Sequence, residues 1–305
     1  MSRLSRTGFW FKEVLAGLAA ASGIGYVATA YTVSRWLTRT SRSRPYPTPE
    51  RHGLPFENVE CVTADGYRLR GWVVEPPAAR ATVTLFHGLR HNRAQTLDRI
   101  AFLAAAGYRC VAFDHRAHGQ SEGRRTSFGY NESRDVTAVL ETVRQRWPHQ
   151  PVAALGISMG AAALCFAAGQ LPRLDAVLLE SLYHDLDSTF RKRIGTRFPS
   201  WFRRFRRGVI WVTERRLGLR LEQIAPVNYV DGFAPAPVLL LTGSADGLAP
   251  PSDSERLFAR CPEPRELAII PDVDHTNMVE GGGHRYRDTI LDFLERNLRR
   301  VRRAA

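Results

Sequence analysis

The chain has 305 residues, 44% of them apolar, enough to bury a sizeable core in a domain of about 250 residues with a tail. Its formal net charge of +13 comes almost wholly from arginine, since Lys12 and Lys192 are its only lysines; without a nucleic-acid motif or an aromatic–basic platform, no nucleic-acid partner is expected. Cys61, Cys110, Cys165 and Cys261 show neither paired nor zinc-type spacing, which argues against a disulfide framework and a metal site.

Val14 to Val33, VLAGLAAASGIGYVATAYTV, carries no charge and is long enough to cross a bilayer as a helix. An N-terminal transmembrane helix within a 1–35 membrane anchor is therefore expected, giving a single-pass membrane localisation. Arg35, Arg39, Arg42 and Arg44 after the span against Arg3, Arg6 and Lys12 before it favour a cytoplasmic catalytic domain. A cleavage site at Ala28-Thr29-Ala30 is the alternative, leading to a secreted or periplasmic protein. Residues 36–56 read as a Pro- and Arg-rich linker.

The core divides into 57–181 and 236–305 around an insertion, 182–235. Val59 to Thr63 and Tyr67 to Val74 form a hairpin turning at Asp65-Gly66. Ala81 to Phe86 is a continuous apolar run typical of a central strand and ends in His87-Gly88-Leu89. A helix follows over Ala94 to Ala106, closed by Gly107, then a buried strand, Tyr108 to Phe113. The spacing of Val136, Val139, Leu140 and Val143 predicts a helix over Glu132 to Trp147. The apolar run from Val152 stops at Gly156-Ile-Ser158-Met-Gly160 and gives way to an Ala-rich helix. Strands Ala176 to Leu179, Val238 to Leu241 and Leu267 to Ile270 follow, with a last helix over Arg285 to Arg299. This alternation implies a mostly parallel sheet covered on both faces, with reactive groups beyond its carboxyl edge. His87, Asp114, Ser158, Asp246 and His275 all fall just after predicted strands.

G-x-S-x-G at a strand-to-helix turn holds a serine at a strained apex. Gly156 and Gly160 let strand and helix pass close to it, and the Met159 N–H at the helix start is an orphan donor suited to an oxyanion. Serine is a weak nucleophile that needs a base, itself oriented by an acid. His275, in PDVDHTN, is the expected base, with His284 its rival; Asp246, in LLLTGSADGLAP, is the expected acid. Asp272 and Asp274 stand too near His275 in sequence to face its ring easily, so Asp185 and Glu180 are the substitutes.

The order Ser158, Asp246, His275 resembles that of the α/β-hydrolase superfamily, from about Val59 to Arg299. His87-Gly88 resembles its oxyanion loop, which implies the Leu89 N–H as second donor beside Met159. Asp114 to Ser121 resembles its D-x-R-G-x-G-x-S loop, with Ala117 where glycine is usual; Asp274 also replaces a usual glycine. The resemblance implies an eight-stranded sheet with a helical cap inserted after strand 6. Together with the expected anchor it is most similar to the membrane-tethered Bem46-like and monoglyceride-lipase-like (serine aminopeptidase S33) branch.

Within the insertion, Phe198, Trp201, Phe202, Phe205, Ile210 and Trp211 alternate with arginines. Such a stretch builds amphipathic lid helices whose basic face meets water or lipid headgroups. The expected activity is serine hydrolysis of an acyl ester or thioester, small or lipid-like, without cofactor. The alternatives are an acyltransferase, a cofactor-free haloperoxidase, or a silent tethered interaction protein.

Overall fold

The computed structural model describes residues 23–40, 46–189 and 202–304. The chain divides into two compact units, one of Met1–Thr38 and Ile194–Leu221, the other of Arg39–Arg193 and Glu222–Ala305.

The second unit is organised by an eight-stranded sheet with strands β1 (Glu57–Val62), β2 (Arg68–Val74), β3 (Thr82–Phe86), β4 (Arg109–Phe113), β5 (Val152–Ile157), β6 (Ala176–Glu180), β7 (Val238–Gly243) and β8 (Arg265–Ile270). Their order is β1-β2-β4-β3-β5-β6-β7-β8. The expected hairpin pairs β1 with β2, and β2 runs antiparallel to β4, while all later pairings are parallel. Leu85, Leu155, Leu178 and Leu239 stand in or next to register across the middle strands and are fully buried. Each such leucine contributes roughly 1.5–3 kcal/mol by leaving water.

Helices α2 (Leu97–Ala105) and α7 (Met278–Ala304) share the core on that face through Ile100, Leu103, Ile290 and Phe293. The intervening strand positions point to the opposite face; α3 (Ser133–Arg146) packs against α4 (Met159–Ala167), and α4 against β5. The expected helix over Ala94 to Ala106 starts as a 3-10 turn, Arg93–Thr96, because the Asn92 side chain caps it by accepting the Ala94 N–H at 2.9 Å. The last helix begins earlier than Arg285 and breaks at Gly283, φ 50 and ψ −128. Helix α6, Pro251–Arg260, was not legible in the sequence, since Leu257 is its only fully buried apolar residue beside Asp253 and Ser254.

Several charged groups inside this unit are paired. Arg99 on α2 binds the Glu180 carboxylate through both Nε (3.0 Å) and a terminal guanidinium nitrogen, Nη2, and the Tyr286 hydroxyl on α7 donates to the same carboxylate at 2.6 Å. Burial opposes the Arg99 charge, but Glu180 overcompensates and raises its pKa. Arg93 donates to Asp114 at 2.6 Å with both side chains buried, and lies over the Trp72 ring. His87 joins the ends of β3 and β4: the His115 N–H donates to its Nε2 at 3.0 Å, so Nδ1 carries the proton given to Gly88 O at 2.8 Å. Burial, reinforced by neighbouring His115, holds His87 well below the ordinary histidine range, and burial likewise lowers His118.

The first unit holds helix α1, residues 23–37, and α5 (Phe202–Leu217). They meet through Ala30, Val209 and Val212, with Val33, Leu37 and Phe205 at the margin. The contact is partly polar: buried Ser34 Oγ accepts from Thr213 Oγ1 at 2.9 Å and from an Arg216 guanidinium N–H at 2.8 Å. No helix among the described residues is long and apolar enough to cross a membrane. The expected N-terminal transmembrane helix, and with it the single-pass membrane localisation, is corrected accordingly: Ala, Gly and Thr dilute the apolar character of α1, and its inward stripe carries Ser34 and meets a guanidinium. Val14–Ser22 of that span, residues 41–45 of the linker, and Phe198 and Trp201 of the lid lie outside the described residues.

Two outcomes follow for stability. Glu180→Gln leaves the buried Arg99 cation without its counter-charge, and urea unfolding should show a loss of about 3–5 kcal/mol. A histidine whose folded pKa lies below its unfolded value of 6.5 binds fewer protons when folded. Stability is therefore complete above 6.5 and declines as pH falls through it, by at most about 1.4 kcal/mol per pH unit for each such histidine. Unfolding free energies that stay level between pH 7 and 5 would contradict this account of His87 and His118.

Candidate active site

Ser158 stands between β5 and α4 at φ 51 and ψ −109, a left-handed conformation costing on the order of 1–3 kcal/mol. Two backbone bonds hold it there: its N–H donates to Glu180 O at 2.8 Å and its C=O accepts the Ala162 N–H at 3.0 Å. A Cβ on Gly156 would come within 2.5 Å of Ala161 N, and one on Gly160 would collide with the Phe86 carbonyl. The sharp turn therefore requires glycine on both sides. Ser158 itself is half-buried, between a fully buried strand and a buried helix.

The loops after β7 and β8 are tied together before they reach the serine. Ser244 N–H donates to Ile270 O at 2.8 Å and Ala245 N–H to Val273 O at 3.0 Å. Asp246 is buried, and its Oδ1 accepts the Leu248 and Ala249 N–H groups at 2.8 Å each. Its other oxygen, Oδ2, lies 2.8 Å from His275 Nδ1, while His275 Nε2 lies 3.1 Å from Ser158 Oγ. With the Nδ1 proton given to the carboxylate, Nε2 is left as the acceptor for the serine hydroxyl. The three residues expected to act together are thus brought into one hydrogen-bonded chain across 117 positions of sequence.

The rivals lie elsewhere. His284 is exposed. Asp274 accepts from Thr276 N–H and Oγ1 and from Asn277 N–H, bonds that lower its pKa and shape the loop carrying His275. Asp272 sits at φ 56 with its N–H on Ser244 Oγ. Asp185 binds His184 and the Ser188 N–H, and Glu180 is engaged by Arg99 and Tyr286, so neither substitute acid reaches His275.

On the opposite side of the serine, the loop after β3 carries His87, Gly88 and Leu89. Gly88 O accepts from both His87 Nδ1, at 2.8 Å, and the His91 N–H, at 3.3 Å. In a trans peptide the N–H points away from the carbonyl, so the Leu89 N–H is turned outward. Neither it nor the Met159 N–H makes a hydrogen bond among the described residues. Among the described residues, the non-glycine residues of positive φ, Arg90, Ala117, Phe128, Ser158, Ser181 and Asp272, all follow strands of this sheet, as expected where strain is concentrated at a functional edge. Ala117, in the loop after β4, stands at φ 63.

Sequence reasoning did not anticipate the group beneath these loops: Gln95, whose Oε1 accepts the Gly88 N–H at 2.7 Å, and the Arg99–Glu180–Tyr286 network. The one signal was Arg99 itself, a charge four residues from Leu103 on the inward stripe of α2. Among the described residues no cluster of three His, Cys, Asp or Glu side chains is arranged to hold a metal ion.

Comparison with known proteins places this geometry in context. The family model for serine aminopeptidase, S33, matches residues 77–217. The uncharacterized protein YqkD of Bacillus subtilis is 28% identical over 250 residues, covering 79% of this chain and 81% of that protein. The uncharacterized protein YfhR of Salmonella typhi is 29% identical over 267 residues, covering 82% and 86%. The Pyrococcus furiosus esterase Pf2001 has a similar fold, with a TM-score of 0.72 at 23% identity over 86% of this chain and 98% of that one. The chain thus has the α/β-hydrolase fold and is similar, over residues 77–217, to the serine aminopeptidase, S33, family.

Proposed function

We propose that this protein is a serine hydrolase of acyl esters or thioesters, with Ser158 as nucleophile, His275 as base and Asp246 as orienting acid. The observation that carries the reading is the continuous chain from Asp246 Oδ2 through the His275 ring to Ser158 Oγ, at 2.8 and 3.1 Å. His275 Nε2 takes the hydroxyl proton as Oγ attacks the substrate carbonyl, and returns it to the leaving group. Asp246 holds the tautomer that leaves Nε2 basic and stabilises the imidazolium that forms. The Leu89 and Met159 N–H groups, without a hydrogen bond among the described residues, serve the developing oxyanion. Water activated by His275 then releases the acyl group.

The proposal is tested with a panel of p-nitrophenyl esters and thioesters of varied acyl length, together with a fluorophosphonate probe. Ser158→Ala should lower turnover by on the order of 10⁴-fold or more and abolish labelling. A variant that labels as the parent does would rule out Ser158 as nucleophile. Asp246→Asn donates to His275 Nδ1 in place of accepting from it, which stabilises the wrong tautomer. It should cost about 10⁴ in kcat with KM little changed, and equal kcat values would show that Asp246 has no such role.

A further inference from the structure

We propose that Gln95 is a positioning residue that aims the Leu89 N–H by anchoring the oxyanion loop to the serine turn, an inference that rests on the acyl-transfer reading above. The two peptide units flanking the Gly88 Cα are held from opposite ends. His87 Nδ1 and the His91 N–H bind the carbonyl oxygen of the Gly88–Leu89 unit, and Gln95 Oε1 accepts the N–H of the preceding unit at 2.7 Å. Among the described residues, only Gln95 supplies an acceptor to that second unit. Without it, the N–H of that preceding unit is held only by packing, and glycine resists the resulting rotation about φ least of all residues. The space is tight enough for the bond to matter: a Cβ on Gly88 would lie 3.4 Å from Gln95 Oε1 and 3.5 Å from Ile157 O, at the end of the strand that carries Ser158.

Gln95 is in turn braced to the serine. Its carbonyl accepts from Arg99 at 3.4 Å, Arg99 is gripped by the Glu180 carboxylate, and the Glu180 carbonyl receives the Ser158 N–H at 2.8 Å. One path of polar contacts therefore sets the oxyanion loop against the serine turn. It places a neutral acceptor on Gly88 and keeps the Glu180 charge on Arg99.

The test compares Gln95→Met and Gln95→Asn, one lacking a comparable acceptor and the other too short to reach Gly88, with Asn92→Ala in the same turn. Asn92 caps the 3-10 turn and makes no hydrogen bond to Gly88 among the described residues, so its variant serves as a control for general loosening. Kinetics are measured per serine titrated with fluorophosphonate, alongside the Ki of an acyl trifluoromethyl ketone, whose hemiketal oxygen occupies the oxyanion position. Either Gln95 variant should lose about 10–100-fold in kcat, a fraction of the effect of deleting an oxyanion donor. Inhibitor affinity should weaken in proportion to kcat/KM, as expected for a group acting on the transition state, while KM stays within about twofold. Asn92→Ala should lower Tm and keep kcat within about twofold. The inference is overturned if the parent is active and the Gln95 variants keep their kcat and inhibitor affinity, or if Asn92→Ala loses as much kcat as they do. A parent that neither turns over esters nor labels at Ser158 instead sinks the hydrolase reading at this serine, and this inference with it.

Discussion

A hydrogen bond of 2.8 Å from the Ser158 N–H to the Glu180 carbonyl, across two adjacent parallel strands, lets a serine stand in a backbone conformation that an L-residue ordinarily avoids. The bond exists because β5 and β6 are in register up to Ile157 and Glu180, so the amide one residue further on still finds a partner. Everything that approaches the hydroxyl is positioned relative to that turn. Shifting the register would remove the partner and let the serine relax into an ordinary helix start.

The sheet supplies the remaining parts by the same logic. Parallel strands end at one edge, and backbone bonds at the roots of the loops leaving it govern their course. After β7 and β8 those bonds couple two loops, so that Asp246 and His275 are set by their mutual fit before either meets the serine. Below the edge, Arg99, Glu180 and Tyr286 form a buried polar knot whose members come from α2, β6 and α7. Burying such charges brings little net stability compared with an apolar core of equal volume, yet losing one partner is costly. Its value in this molecule is geometric: it fixes the spacing between the helix bearing Gln95 and the strand bearing Glu180.

The N-terminal segment shows why an uncharged stretch does not by itself define a membrane span. Residues 23–37 form a helix with Tyr26 edge-on to Phe205 at 5.5 Å, and Ser34 shared between Thr213 and Arg216. Small and hydroxylated side chains suit close helix packing as well as they suit lipid, and in this helix the inward face is matched to α5. Composition counts which residues are apolar. It does not record which of them already have a partner in the chain.

Much was legible from local pattern alone. The alternation of apolar runs with helical periodicity determined a mostly parallel α/β sheet and the strands after which Ser158, Asp246 and His275 fall, because burial on both faces demands continuous apolar strands. The glycines at 156 and 160 announced the turn at Ser158, since no other residue fits its close passages. The candidate pairing of Asp246 with His275 followed from their places after strands. What only the tertiary structure decided are the relations between residues that no local rule connects: which aspartate faces the imidazole, how Gln95 meets Gly88, why Arg99 can sit in the core, and where the N-terminal helix turns its inward face. Arg99 and Tyr286 are 187 residues apart. Hydrogen bonds and ion pairs depend on distances of a few tenths of an ångström between groups brought together by folding, and periodicity, which reports burial, carries no information about them.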